Sequence, residues 1–263
     1  MRLFMRILAI GDVTSPHAAE FLSSRLWAYR EEKRIDLCVV NGENAAFING
    51  VTPPLAKALL SGGADVITGG NHSLNLHTDA RFFDDTPTVL RPLNFPAAAP
   101  GAGYTIAEAK NGYRVLVMSA MGTVGIDPVL DAPYRYIDSV LSREAGRYDF
   151  SVLDFHAEAT GEKIATASYY DGRINIIFGT HTHVPTADLT ILPGGTGYVT
   201  DVGMCGASGG ILGMWRDTVI RRIVTKVPEP FMPAEGACYA DGVIFTLSEA
   251  NGRVTDLQRV LIK

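Results

Sequence analysis

This chain has no long apolar run, no cluster of basic residues and no paired cysteine spacing, and each absence removes a class of protein. No hydrophobic stretch approaches the ~20 residues that cross a bilayer, so a membrane role is not expected. Charged residues make up 19% of the chain, the formal net charge is -5, and Lys and Arg are dispersed. A duplex-DNA surface draws its affinity from phosphate neutralisation, so none is expected; a small anion held by metal is compatible with this charge. Cys38, Cys205 and Cys238 show no C-x-x-C spacing. Cys38, inside "IDLCVV", reads as a small buried hydrophobe. An odd cysteine count with no secretory signal in "MRLFMRILAIGD" points to a reducing cytoplasm. The strand pattern begins at Met5, an alternative start. Histidines number only six, so their positions carry weight.

With 263 residues, 47% of them hydrophobic, the chain can bury one large core, and one domain over 1–263 is expected. Short apolar runs alternate with helical patterns, as in an α/β protein. Strands are read at "MRILAIG" (5–11), "IDLCVVNG" (35–42) and "ADVITGG" (64–70), with helices at 17–33 and 53–62. The second helix has Pro at its start and Gly at its end. A short helix is expected over "HTDARFFDD". From 87 to 121 the runs "TVLRP", "GYTIAEA" and "YRVLVMSAMG" read as strands, with "KNG" a hairpin turn. After a loop-rich part come a strand at 149–156, a helix over "EKIATASYYDG" and a strand at "INIIFGTH". The tail adds strands near 188–192, 197–202, 241–247 and 253–262, and a helix at 216–224. These elements predict two packed mixed β-sheets flanked by helices.

Polar chemistry collects at strand ends. "MRILAIG" runs into Asp12, "IDLCVV" into Glu43 and Asn44, "ADVITG" into Asn71 and His72, "DFSVLDF" into His156, and "INIIFGT" into His181 and His183. Carboxyl ends of parallel strands converge on one sheet edge, where α/β sites form. Residues i and i+2 of an extended segment share a side, so His181 and His183 could meet one object or serve two neighbours. Imidazole, carboxylate and amide oxygen without thiolate suit Mn, Fe or Zn. Asp12, Glu43, Asn44, Asn71, His156, His181 and His183 exceed what one four-coordinate ion takes. Two ions sharing a carboxylate fit the count, and such pairs, ~3.5–4 Å apart, clamp in-line displacement at phosphorus.

The blocks "ILAIGDV", "VVNGENAA", "GGNH", "VLRPLNFP", "DFHAEATGEK", "GTHTHVPTAD" and "YVTDVGMCG" run in order over most of the chain. In them the sequence resembles the bacterial calcineurin-like metallophosphoesterases of the YmdB type, which include cyclic-nucleotide phosphodiesterases. The resemblance implies a metallophosphoesterase-like sandwich of two mixed sheets. It places Asp12, Glu43, Asn44 and His183 around one divalent or mixed-valence ion and Glu43, Asn71, His156 and His181 around the other. Glu43 bridges, a bridging hydroxide attacks, and His72 protonates the leaving alkoxide. Iron or manganese, with zinc as an alternative, is the expected metal, and 2′,3′- and 3′,5′-cyclic nucleotides are the expected substrates. RNA ends are further candidate partners, and self-association is compatible with the sequence. A phosphomonoesterase, an RNA-directed nuclease or a regulatory binding protein are the rival readings.

Two departures from the family pattern stand out. The metallophosphoesterase D-x-H start is here Asp12-Val13-Thr14, a loss that the YmdB type shares, with Asn44 in the vacancy. Relatives often carry G-x-x-G-R after GDV and Trp after GNH; this chain has "TSPHA" and "SLNLH". Plainer roles stand beside the sharp ones. Asp12 alone would read as a helix start, Asn44 and Asn71 as turn residues, His156 as a core histidine, and His72 as a group that only orients phosphate. His17 is expected at a helix start and His77 on a solvent-facing helix. Glu158 and Glu162 could begin a helix or support His156; the helix start is preferred for Glu162. Asp188 and Asp201 read as turn carboxylates or partners of a histidine. "CGASGGILG" reads as a mobile loop, and Trp215 as packing.

Overall fold

Strands that are apolar on both faces need cover on both faces, and that requirement sets the layer order here. In the computed structural model, which describes residues 4–47, 49–76 and 81–263, β1 (Phe4–Ile10) pairs in parallel with β3 (Leu37–Asn41), and β3 with β4 (Val66–Thr68). On its other side β1 runs antiparallel to β12 (Cys238–Ser248), which also pairs with β13 (Val254–Ile262) and β11 (Met204–Ala207). The two-residue β2 (Asp12–Val13) completes this seven-stranded sheet beside β11. The second sheet has six strands. Its parallel centre is β6 (Arg114–Met121), β7 (Phe150–His156), β8 (Ile176–Thr180) and β10 (Gly197–Val199). The edge strands β5 (Tyr104–Glu108) and β9 (Thr190–Ile191) are antiparallel. Two mixed sheets flanked by helices are therefore what the chain builds, as its sequence predicts.

Alternate residues of β1 show how the layers divide. Met5, Ile7 and Ala9 face the second sheet, in one core with Val117, Val152 and Phe178. Leu8 and Ile10 face the helix layer, packed with Ala18, Leu22 and Leu26 of α1 (Pro16–Lys33) and Leu59 of α2 (Pro53–Gly62). The outer face of the second sheet is closed by α4 (Tyr134–Arg143) and α5 (Thr160–Tyr169), with Ile137, Val140 and Ala167 against Leu116, Leu153 and Phe155. Ser15 caps α1, its hydroxyl accepting from the Ala18 amide at 3.1 Å, and Pro16 supplies the preset φ of a first turn. Asp12 is thus free of the capping duty it could have had. Among the described residues no helix is long and apolar enough to cross a membrane.

Some elements differ from expectation. "TVLRP" is no strand; only Val89 makes a bridge, to Ile67, because Pro87 and Pro92 bracket the run and donate nothing to a ladder. The block is instead a tie. Buried Arg91 donates to the carbonyls of Pro92, Ala99 and Pro100, and Asn94 exchanges hydrogen bonds with Met121. The loop-rich part contains α4. The helix expected over "HTDARFFDD" is seen as α3 (Phe82–Asp85), while 77–80, with His77, lie outside the described residues. "CGASGGILG" begins as β11 rather than as a loop, and α6 (Arg216–Thr225) follows it.

Leu22 has no exposed surface. Leu22→Ala should destabilise the fold by about 2–5 kcal/mol, read as a lower urea midpoint with unchanged slope.

Candidate metal centre

Both sheets turn their parallel carboxyl ends toward the same cleft. From the first sheet come Asp12, after β1; Glu43 and Asn44, after β3; and Asn71 and His72, after β4. From the second come His156, the last residue of β7, and His181 and His183, just past β8. All the sequence-predicted ligands converge there, in two overlapping groups.

In the first group, His156 Nε2 lies 3.0 Å from Asn71 Oδ1, 3.1 Å from His181 Nδ1 and 3.4 Å from Glu43 Oε2. Donor atoms of Glu43, His156 and His181 all fall within 4.8 Å of one another. Ligands held at ~2.0–2.2 Å from one transition-metal ion stand about 3.0–3.6 Å apart, which matches the shorter separations. In the second group, His183 Nε2 is 3.7 Å from Asp12 Oδ1 and 3.4 Å from Asn44 Nδ2, which donates to Glu43 Oε1 at 2.5 Å. One carboxylate thus offers a different oxygen to each group.

Hydrogen bonds aim these donors. Thr180 gives its hydroxyl proton to Asp154 Oδ1 at 2.7 Å, so its oxygen accepts from His156 Nδ1 at 2.9 Å and Nε2 faces the cleft. His181 Nε2 meets Glu158 Oε2 at 3.2 Å, and His183 Nδ1 donates to the Leu212 carbonyl at 3.1 Å. Glu158 therefore supports His181, not His156. Gly70 permits the close approach of the strands: a Cβ there would overlap His156 Nε2 and Glu43 Oε2.

The electrostatics call for a cation. Asp12 and Glu43 are fully or almost fully buried, and among the described residues Asp12 Oδ1 has no hydrogen-bond partner. Burial, reinforced by the charge of Asp12, pushes the Glu43 carboxyl up to about 8. Burial opposes ionisation of Asp12 too, but the proximity of His183 and His156 brings its pKa below the usual value. His183, despite burial, is raised to about 9 by Asp12, whereas burial takes His156 well below a free imidazole. His183 can offset only one of the two buried carboxylates, so ionising both Asp12 and Glu43 requires further positive charge, and the N/O donor set fits transition-metal ions.

His181 and His183 do not behave as alternate residues of an extended strand. Their φ angles are 100° and 62°, in the left-handed region that costs non-glycine residues energy. This backbone, not an i/i+2 alternation, sends the two rings to different groups. Asp201 holds the bend. It accepts from the amide and hydroxyl of Thr182 at 3.0 and 2.8 Å, and from the buried ammonium of Lys163 at 2.9 Å. Lys163 donates also to the Thr180 carbonyl at 2.7 Å. Asp201 thus serves the loop rather than a histidine ring, and Asp188 bonds Thr186 and Thr200. Glu162, at the start of α5, accepts from Thr123 and Val124.

His72 lines the same cleft. Its amide donates to Glu43 Oε2 at 2.9 Å and its Nδ1 faces the Asn75 amide at 2.9 Å. Burial, then neighbouring His181 and His183, lowers its pKa. His17 is elsewhere, at the start of α1 and 3.3 Å from the Gly236 carbonyl. Trp215 precedes α6 and is 44% exposed, so it does not serve the core as packing. Asp154, Thr180 and Lys163 were missed in the sequence because their partners are distant in the chain. The only cue was a charged residue inside the apolar "SVLDF" and another in "TGEK".

A sequence model of the family described as "YmdB-like protein" matches residues 8–260. The chain belongs to the YmdB-like family. A 2′,3′-cyclic-nucleotide 2′-phosphodiesterase of Bacillus subtilis (strain 168) is 41% identical over 258 residues, covering 98% of this chain and 97% of that protein. Among solved structures, a hypothetical protein from Thermus thermophilus matches with a TM-score of 0.87 at 36% identity, covering 98% of each chain. A novel phosphatase from Mycoplasma pneumoniae matches with a TM-score of 0.91 at 29% identity, covering 100% of this chain and 94% of that one.

Lys163→Met would leave Asp201 buried without its cation and should cost about 3–5 kcal/mol, seen in urea unfolding. Adding Asp201→Asn should recover part of that loss.

Proposed function

We propose that this chain is a phosphodiesterase that hydrolyses small phosphodiesters, foremost 2′,3′- and 3′,5′-cyclic nucleotides, at a two-ion centre. The observation that carries the reading is the pair of donor groups meeting at Glu43. Asp12, Glu43, Asn44 and His183 would hold one ion, and Glu43, Asn71, His156 and His181 the other, with Glu43 bridging; iron or manganese suits the donors best. Ions there would supply a water of lowered pKa and a counter-charge to the phosphorus-bound oxygens. The named activity of the B. subtilis relative supports the diester substrate.

The chain's own residues do the remaining work. The neutral amides Asn44 and Asn71 add donors without adding negative charge, so the loaded cleft attracts a phosphodiester anion. Buried walls restrict water around Glu43, Asp12 and His156. His72 delivers the proton to the departing ribose oxygen. Two side-chain amides hold the ring, Asn75 Nδ2 at 2.9 Å from Nδ1 and Asn71 Nδ2 at 3.3 Å from Nε2.

His72→Ala should lower kcat on 2′,3′-cyclic AMP by about 10²–10⁴-fold while elemental analysis finds near-wild-type metal. Loss of metal instead would make His72 a ligand and end its assignment as the acid. Glu43→Gln should weaken both ions, and two retained equivalents would refute the bridge.

A further inference from the structure

The cleft that holds the donor groups has a second, apolar half. It encloses about 600 Å³ and is lined both by Glu43, His72, His181 and His183 and by Phe47, Leu212, Met214 and Phe231. That volume is in the usual range of ~300–1,000 Å³ for small-molecule sites. Phe47 is 56% and Phe231 49% exposed, so two aromatic rings face solvent inside a concavity. Neither serves the fold as core.

Both rings are tied to the ionic side. Phe47 lies on the loop after β3, four residues beyond Glu43. Phe231 sits in a segment stitched to the 211–215 turn by Trp215 N to Met232 O (2.7 Å) and Ala234 N to Gly213 O (2.8 Å). Leu212, in that turn, accepts the hydrogen bond from His183 Nδ1. The guanidinium of Arg222 lies 4.0 Å from the Phe231 centroid and bonds the Glu229 carbonyl. This arrangement fixes the ring and covers part of it.

An ionic floor beside aromatic walls suits a ligand with an anionic end and a flat, weakly polar body. We propose that Phe47 and Phe231 are the specificity-determining walls of a nucleobase subsite, with the phosphodiester on the donor groups and the base against the rings. The proposal rests on the cyclic-nucleotide reading above. Aromatic faces stack on any base and select none by hydrogen bonding, so the subsite tells nucleotides from base-free diesters and is tolerant among the four bases.

The test is the ratio of kcat/KM for 2′,3′-cyclic AMP to that for glycerol 1,2-cyclic phosphate, which carries the same strained diester without a base. Phe47→Ala and Phe231→Ala should each lower the ratio about tenfold, the equivalent of ~1.4 kcal/mol of stacking, chiefly through KM for the nucleotide. Phe47→Trp and Phe231→Trp should keep it. A structural defect would lower both activities together and leave the ratio at its wild-type value, so an unchanged ratio in both Ala variants overturns the proposal. A wild-type enzyme that cleaves both diesters equally well also overturns it while leaving the phosphodiesterase reading intact. A wild-type enzyme that cleaves neither overturns both.

Discussion

Asp12 and Glu43 are buried close together at the seam of two sheets, and this crowding of negative charge is the constraint to which the site answers. An isolated buried carboxylate is costly, and a second beside it more so. The chain surrounds them with histidines, two of which are too buried or too crowded to charge readily, and with amides that carry no charge. The third, His183, is raised to about 9 by Asp12 and offsets one carboxylate, which leaves the other for an ion to balance. Glu43 bears the larger burden, being pushed up to about 8, and it is also the residue common to both donor groups. The group least able to ionise without added positive charge is therefore the one best placed to respond to it.

Keeping such a site open requires a frame that does not relax. His181 and His183 sit at strained backbone angles, and the buried Lys163–Asp201 pair holds the turn between them. A buried ion pair is weak support for stability in itself; its value here is geometric, since Lys163 ties α5 to the end of β8 while Asp201 ties the loop after β10 to Thr182. Asp154, raised to about 7 by burial, binds Thr68, Asn41 and Thr180 at once. It thereby links β3, β4, β7 and the ring of His156 across both sheets. Strain at the rim and cross-links beneath it belong to one arrangement.

How much of this could be read in the sequence follows from the range of each interaction. Strand ends were legible, because an apolar run that stops at Asp, Glu, Asn or His is a local signal, and parallel topology gathers such ends. The helices α1 and α2 were legible from Pro, Gly and periodicity. β2 and β11 were not, since pairs of two to four residues acquire meaning only from their neighbours. α4 was hidden in the loop-rich part, with only Ile137 and Val140 buried along it. The division between His181 and His183 was open in the sequence, because it depends on positive φ angles that no spacing encodes. Lys163 and Asp201 looked like a helix residue and a turn carboxylate; their separation of 38 positions put their bond out of reach.

The two departures from the family pattern acquire a different meaning in three dimensions. Leu74, in "SLNLH", packs partly buried against the cluster of Phe95, Met121 and Ile126. His17, in "TSPHA", lines a separate cavity with Cys238 and Asp241. Neither side chain joins the apolar half of the donor-lined cleft. The apolar lining of that cleft comes from the loop that carries Asn44 and Phe47 and from the excursion between β11 and β12. The excursion carries α6, holds several exposed apolar side chains and reaches the donor groups through the hydrogen bond from His183 to Leu212. Such a segment can vary its walls without disturbing the ligands, because no metal donor lies within it. That separation would let one rigid donor set be combined with different walls on the same scaffold.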